Sequence, residues 1–384
     1  MAKRSLTGIK PTGIPHIANY IGAIRPALAL GEQYDAYYFI ADYHALTTVK
    51  DRQTLIDLTY EVAAAWLAMG LNPDRVTLYR QSDVPETFEL TWILGCVTPK
   101  GLMNRAHAYK AAVADAEAQG KADVDAGVNM GVYCYPVLMA ADILLFSADV
   151  VPVGRDQSQH VEMTRDIAEK FNLAYGDVLR IPELVVSATS ASILGLDGRK
   201  MSKSYANVLP LFAGPDEMAR LVRRFKTDST GADEPKDPES TGLFQIYREI
   251  AAPDETRRVQ AALEAGGMSW KELKDAVVAL LDGFLAAPRE RYRELMADKA
   301  QIRRVLAAGA ERARPEAAAM LARVRHAIGR QPVSLSACEP VRRPGRRSLQ
   351  ENRQARCRST SCRMMTLRWM SLVPSPTTIS GASR

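Results

Sequence analysis

The stretch SLTGIKPTGIPHIANYIGA, residues 5–23, carries the first strand-to-helix transition of the chain. Its first part, SLTGIKPTG, reads as a short strand running into a Pro/Gly turn. Beyond the turn, Ile17, Ile21, Ile24 and Leu28 fall on a helical period, while Pro26 argues for a kink or an early stop. A strand feeding directly into a helix leaves backbone N–H groups free at the helix start, where phosphate can be held. His16 and Asn19 share that first turn and can serve as donors to a triphosphate. A His-x-x-Asn pair alone carries little weight, because most such histidines are surface or packing residues; its position at a strand-to-helix turn is what counts.

The alternation continues along the chain. AYYFIAD (36–42) has the pattern of a buried strand, Asp51 looks like an N-cap, and Leu55 to Met69 reads as a helix ended by Gly70. VTLYRQ (76–81) and DVVPVG (149–154) are further strand candidates, and DQSQHVEMTRDIAEKFN (156–172) is a helix. Such alternation over residues 1–205 predicts an α/β domain with a doubly wound parallel sheet. The segment 98–130, rich in Ala, Lys and Asp, reads as a peripheral insert or a subunit contact. Strand signals then vanish. PDEMARLVRRF, TGLFQIYREI, SWKELKDAVVALLDGFL and PRERYRELM each read as a helix, predicting an all-helical C-terminal domain over 206–330. Residues 331–384 are Arg- and Ser-rich without sustained apolar period, which reads as disorder or as a frameshifted translation.

Composition narrows the function. With 384 residues, 47% hydrophobic and 24% charged, the chain can build two ordinary domains. Five cysteines, none in CxxC spacing, and five scattered histidines argue against a disulfide scaffold or structural zinc and suit a reducing, cytoplasmic setting. MAKRSLTGIKPTG has no apolar run behind its two basic residues, so no signal peptide is expected. YPVLMAADILLF (135–146) and AVVALLDGFLAA (276–287) fall short of the span a membrane needs, about 20 residues. The net charge of +6 misleads, since residues 331–384 alone carry +8 and the rest −2. A nucleic-acid partner must therefore be sought in local patches such as Arg220, Arg223, Arg224 and Lys226, which read equally well as a solvated helix face.

GLDGRKMSKS (195–204) is the strongest chemical signal. Lys200 and Lys203, set among small residues after glycines, form a loop able to bring two ammonium groups to a polyphosphate and stabilise charge on departing pyrophosphate. A solvated basic turn is the bland alternative. The full Lys-Met-Ser-Lys-Ser run tells against it, being the signature of class I aminoacyl-tRNA synthetases.

Over residues 1–330 the chain resembles the bacterial-type tryptophanyl-tRNA synthetases. The likeness rests on KPTGIPHIANYIGA (10–23), YHALTT (43–48), YPVLMAADILLF, VPVGRDQSQHVEMTRDIAEKFN (151–172) and the lysine loop. It implies a Rossmann-type catalytic domain followed by a helical domain for the tRNA anticodon. His16, Asn19, Lys200, Ser202 and Lys203 would be catalytic. ATP would lie on Lys10, Pro11, Thr12, Ala18, Asn19, Gly154, Arg155, Asp156, Ile193 and the loop residues Lys200, Met201, Ser202, Lys203 and Ser204, bringing its own Mg2+; no resident metal is implied. Asp142 would accept the indole N–H of tryptophan, with Tyr135, Met139, His44 and Gln157 around the amino acid. Physics suits Asp142: indole offers one donor and no acceptor, and an unpaired carboxylate in an apolar run is costly. Met139 reads equally as core and His44 as a packed histidine. Ala18 departs from the family's Gly, which lets adenine approach the backbone.

The expected activity is therefore tryptophan–tRNA ligation: L-tryptophan is activated with ATP, then passed to the 3′ end of its tRNA. The nucleophile is the substrate carboxylate, so no Ser/His/Asp constellation is required. The expected partners are tRNA(Trp), L-tryptophan and ATP, within a homodimer, with neither membrane nor DNA. Two rivals stand beside this reading: a tyrosine-specific paralogue, and a synthetase-like regulatory protein without catalysis.

Overall fold

β-branched and aromatic residues concentrate in the segments expected to be strands, and these four segments pair with a fifth into one sheet. The computed structural model describes residues 3–154, 158–186 and 193–330. Arg155, Asp156, Gln157 and the stretch 331–384 lie outside the described residues.

Strand β1 (Arg4–Ile9) leads through a turn into α1 (Ile17–Asn19), a π-helical stretch (Tyr20–Ile24) and α2 (Arg25–Gly31). Of the kink or early stop expected at Pro26, the stop does not occur. In the widened turn before it, the Arg25 N–H donates to Tyr20 O, five residues back, which accommodates a ring that would crowd a regular α-turn. There follow β2 (Asp35–Ile40), the short α3 (Asp42–Ala45), α4 (Arg52–Ala68) and β3 (Thr77–Arg80). Asp51 caps α4 by accepting the Thr54 N–H at 2.7 Å. Gly70, at φ +103°, supplies the left-handed exit. The helices α5 (Glu86–Val97), α6 (Lys100–Met103), α7 (His107–Ala118) and α8 (Met130–Leu145) lead to β4 (Val150–Val153). Then come α9 (Ser158–Tyr175) and β5 (Glu183–Val186), a strand the sequence did not announce.

The strands are all parallel, in the order β3-β2-β1-β4-β5. Strand order reverses between β1 and β4, and an open parallel sheet binds its ligand in the crevice at the carboxyl ends of the strands flanking such a point.

The remaining chain is helical: α10 (Pro215–Arg223), α11 (Gly242–Ile250), α12 (Pro253–Glu264), α13 (Trp270–Ala297) and α14 (Lys299–Ala327). Residues 270–297 form one helix where the sequence suggested two. Pro288 sits within it, and buried Leu281, Leu285 and Leu295 keep its apolar face continuous across the proline. The last helix, α14, packs against β3, with Ala313, Ala317, Leu321 and Val324 in the same apolar cluster as Leu6 and Tyr79. On the other face, α4 packs against α13, and Ile21, Trp66 and Leu281 share a second cluster. Among the described residues no helix is long and apolar enough to cross a membrane.

Candidate active site

At the carboxyl ends of β1 and β4 the sheet opens into a cavity of about 820 Å³. Fourteen expected site residues reach its wall: Lys10, Thr12, His16, Ala18, Asn19, His44, Tyr135, Met139, Asp142, Gly154, Ile193, Lys200, Met201 and Lys203. Pro11, Ser202 and Ser204 do not, although Pro11 is buried in the turn beside it.

One end is built by the turn after β1. The His16 N–H donates to Asn19 Oδ1 at 3.1 Å, which fixes the Asn19 side chain across the helix start. The His16 ring is buried, and its Nδ1 has no hydrogen-bond partner among the described residues. Burial, helped by the charge of Lys203, lowers its pKa to about 4, so the ring is neutral at pH 7 and can offer one N–H without adding charge. Lys203 donates from Nζ to Gly13 O at 2.6 Å and lies against that turn. Desolvation lowers its pKa to about 8. Lys200 is exposed at the rim.

The lysine loop is a small hairpin anchored twice. Leu194 and Lys200 form an antiparallel bridge, and the Met201 N–H donates to Ile193 O at 2.8 Å. Downstream, the Ile17 N–H donates to Leu209 O and the Leu211 N–H to Pro15 O, both at 3.0 Å, tying the loop's exit to the helix entry. Asn207, which the sequence reading missed, organises the turn between. It is buried, accepts the Ser202 N–H at 2.8 Å, and donates to Asp197 Oδ1 at 2.6 Å and to Lys200 O at 3.1 Å. That contact is the first cause holding the Asp197 carboxyl down at about 2. Gly195 leaves no room for a side chain here, since a Cβ would sit 2.5 Å from Asn207 O.

The other end centres on Asp142, which α8 carries into the interior at 3% exposure. His44 Nε2 lies 2.9 Å from Oδ2, and Gln81 Nε2 lies 2.9 Å from Oδ1 and 2.8 Å from Oδ2. Burial raises its pKa, while His44 and Gln81 oppose that by favouring the ionised form. Gln81 is a second residue the sequence reading missed, and His160 a third; His160 hydrogen-bonds to the Tyr135 hydroxyl through Nε2. Between the two ends, Lys10 Nζ donates to Thr47 Oγ1 at 2.7 Å, and Thr47 Oγ1 donates to His44 O at 2.8 Å. A half-buried cation thus sits between the buried carboxylate and the lysine loop, and desolvation lowers its pKa.

The class follows from comparison with known families: a profile described as tRNA synthetases class I (W and Y) matches residues 2–286. Among relatives, the tryptophan–tRNA ligase of Neisseria meningitidis is 49% identical over 333 residues, covering 86% of this chain and 99% of that protein. The tryptophan–tRNA ligase of Pseudomonas putida is also 49% identical, over 334 residues, covering 86% of this chain and 74% of that protein. The crystal structure of tryptophanyl-tRNA synthetase from Campylobacter jejuni, complexed with ADP and tryptophan, superposes with a TM-score of 0.75. It is 38% identical and covers 85% of this chain and 99% of that one. Within its class the chain belongs to the tryptophan–tRNA ligases.

Proposed function

We infer that this chain joins L-tryptophan to its tRNA in two steps. First the tryptophan carboxylate attacks the α-phosphorus of ATP, forming tryptophanyl-adenylate as the bond to pyrophosphate breaks. Then a ribose hydroxyl at the 3′ end of the tRNA attacks the activated carbonyl, and AMP leaves. The observation that carries this reading is one cavity bordered at one end by buried Asp142 and at the other by His16, Lys200 and Lys203.

The roles follow from chemistry. A carboxylate nucleophile is already ionised at neutral pH, so the protein's task is in-line placement and neutralisation of the leaving group. Lys200 and Lys203 take the leaving phosphates, neutral His16 and Asn19 donate to the triphosphate, and Mg2+ travels with ATP as part of the substrate. Asp142 accepts the indole N–H, Tyr135 and Met139 wall the ring, and Ile193 packs the adenine. Arg155 and Asp156 on the ATP side and Gln157 on the amino-acid side complete the set by family resemblance. A phenylalanine in this pocket would leave Asp142 without its donor, which disfavours it strongly.

The helices of 206–330 would meet the anticodon, with exposed Arg220, Arg223, Arg224 and Lys226 as a phosphate-facing patch. A homodimer in the cytoplasm is the working assembly. Supporting it, Met130 and Trp92 (76% exposed) leave large apolar side chains in solvent. ATP–pyrophosphate exchange measured with tryptophan, tyrosine and phenylalanine tests the reading. Exchange should be strong with tryptophan and weaker by at least a hundredfold with the others. Preference for tyrosine would favour the paralogue, and background exchange with all three would favour a non-catalytic protein.

A further inference from the structure

We propose that Gln81 is a positioning residue that aims Asp142 at the indole nitrogen and so sets the preference for a ring bearing an N–H. The proposal rests on the reading that Asp142 accepts that N–H. Gln81 begins the turn after β3 and is 1% exposed, a depth at which an uncharged amide is retained only with its hydrogen bonds made. Its Nε2 straddles the Asp142 carboxylate, 2.9 Å from Oδ1 and 2.8 Å from Oδ2, which fixes the carboxylate plane. Its Oε1 accepts the His44 N–H at 3.3 Å, so the same side chain also locates the short helix carrying the second donor. Oδ2 then holds two donors, Gln81 and His44 at 2.9 Å, whereas Oδ1 holds Gln81 alone. A carboxylate oxygen has room for two donors, so Oδ1 keeps the place for an incoming indole N–H.

The choice of an amide has a further consequence. A lysine or arginine here would neutralise the carboxylate and weaken its pull on a neutral N–H. The glutamine orients it while leaving the charge, and it does not titrate.

The test compares tryptophan with 3-(benzothiophen-3-yl)alanine, the isostere in which sulfur replaces the ring N–H, in ATP–pyrophosphate exchange. Gln81→Met removes the donors at similar length and apolarity. It should raise the KM for tryptophan roughly tenfold, as expected for a lost hydrogen bond to a charged group. The KM for the sulfur isostere and for ATP should move less than about twofold. Gln81→Glu, which keeps the shape but replaces the donor by an acceptor, should show the same selective loss and carries the comparison if Gln81→Met is insoluble. Asp142→Ala is the reference. If it abolishes the preference for tryptophan over the isostere while both Gln81 variants preserve it, the inference is overturned and the role of Asp142 stands. If Asp142→Ala also preserves the preference, the role of Asp142 fails and the inference falls with it. A parallel rise for both amino acids in the Gln81 variants would mark a merely structural residue and overturn the proposal as well.

Discussion

His16 shows how burial sets the charge a residue carries. Its pKa in the folded chain is about 4, whereas an unfolded histidine titrates near 6.5. Between those values the unfolded chain holds more protons, so stability rises with pH across the window and is lost as pH falls through it. The contribution is on the order of 3 kcal/mol at most. The urea midpoint should therefore change less between pH 5 and pH 7 in His16→Gln than in the parent, and an equal change in both would show that His16 does not drive the slope. Ala18 poses a steric question instead. It lies on the cavity wall in the first turn after His16, where a family glycine would let adenine approach the backbone. Ala18→Gly should lower the KM for ATP about threefold even though glycine weakens a helix. An unchanged or raised KM would refute the steric account. His16, Lys203 and Asp142 were legible in the sequence because each lies in a short, chemically pointed run. Gln81 and Asn207 were not, because their identity as site residues depends on partners. Gln81 meets Asp142 across 61 positions of chain. Asn207 acts through a turn whose closure the local pattern does not announce.

Packing between elements shows where small residues are required. Gly309 brings α14 against β3 so closely that a Cβ would lie 1.8 Å from Leu78 O, a backbone atom that cannot step aside. Gly309→Ala should force the two apart and lower unfolding free energy by about 2–3 kcal/mol. Gly283, on the exposed face of α13, meets open space, and Gly283→Ala should raise stability by about 1 kcal/mol. Equal effects of the two substitutions in urea denaturation would contradict the packing of α14 on the sheet. The alternating pattern announced β1 to β4 and helices such as α4 and α9, since burial on one or both faces leaves a period in the chain. It did not announce β5, whose short run ELVV offers too little period to separate it from loop. It also divided α13 at Pro288, because a local rule about proline outranked a buried stripe extending to Leu295.

At the scale of the whole molecule, topology makes the site. The reversal of strand order between β1 and β4 opens the crevice, and the chain returns to it with α8, carrying Asp142, and with the lysine hairpin. Residues separated by nearly 200 positions meet there: Lys203 rests on Gly13. Residues 1–330 carry a net charge of −2, so attraction to tRNA must come from local patches and should weaken steeply with salt. If one cavity holds tryptophan and nucleotide at its two ends, a crystal structure with L-tryptophan and a non-hydrolysable ATP analogue bound together will show both. The indole nitrogen should lie about 3 Å from an Asp142 oxygen, with the terminal phosphates within reach of Lys200 and Lys203. Density for the indole elsewhere, or Asp142 turned to solvent, would contradict the account.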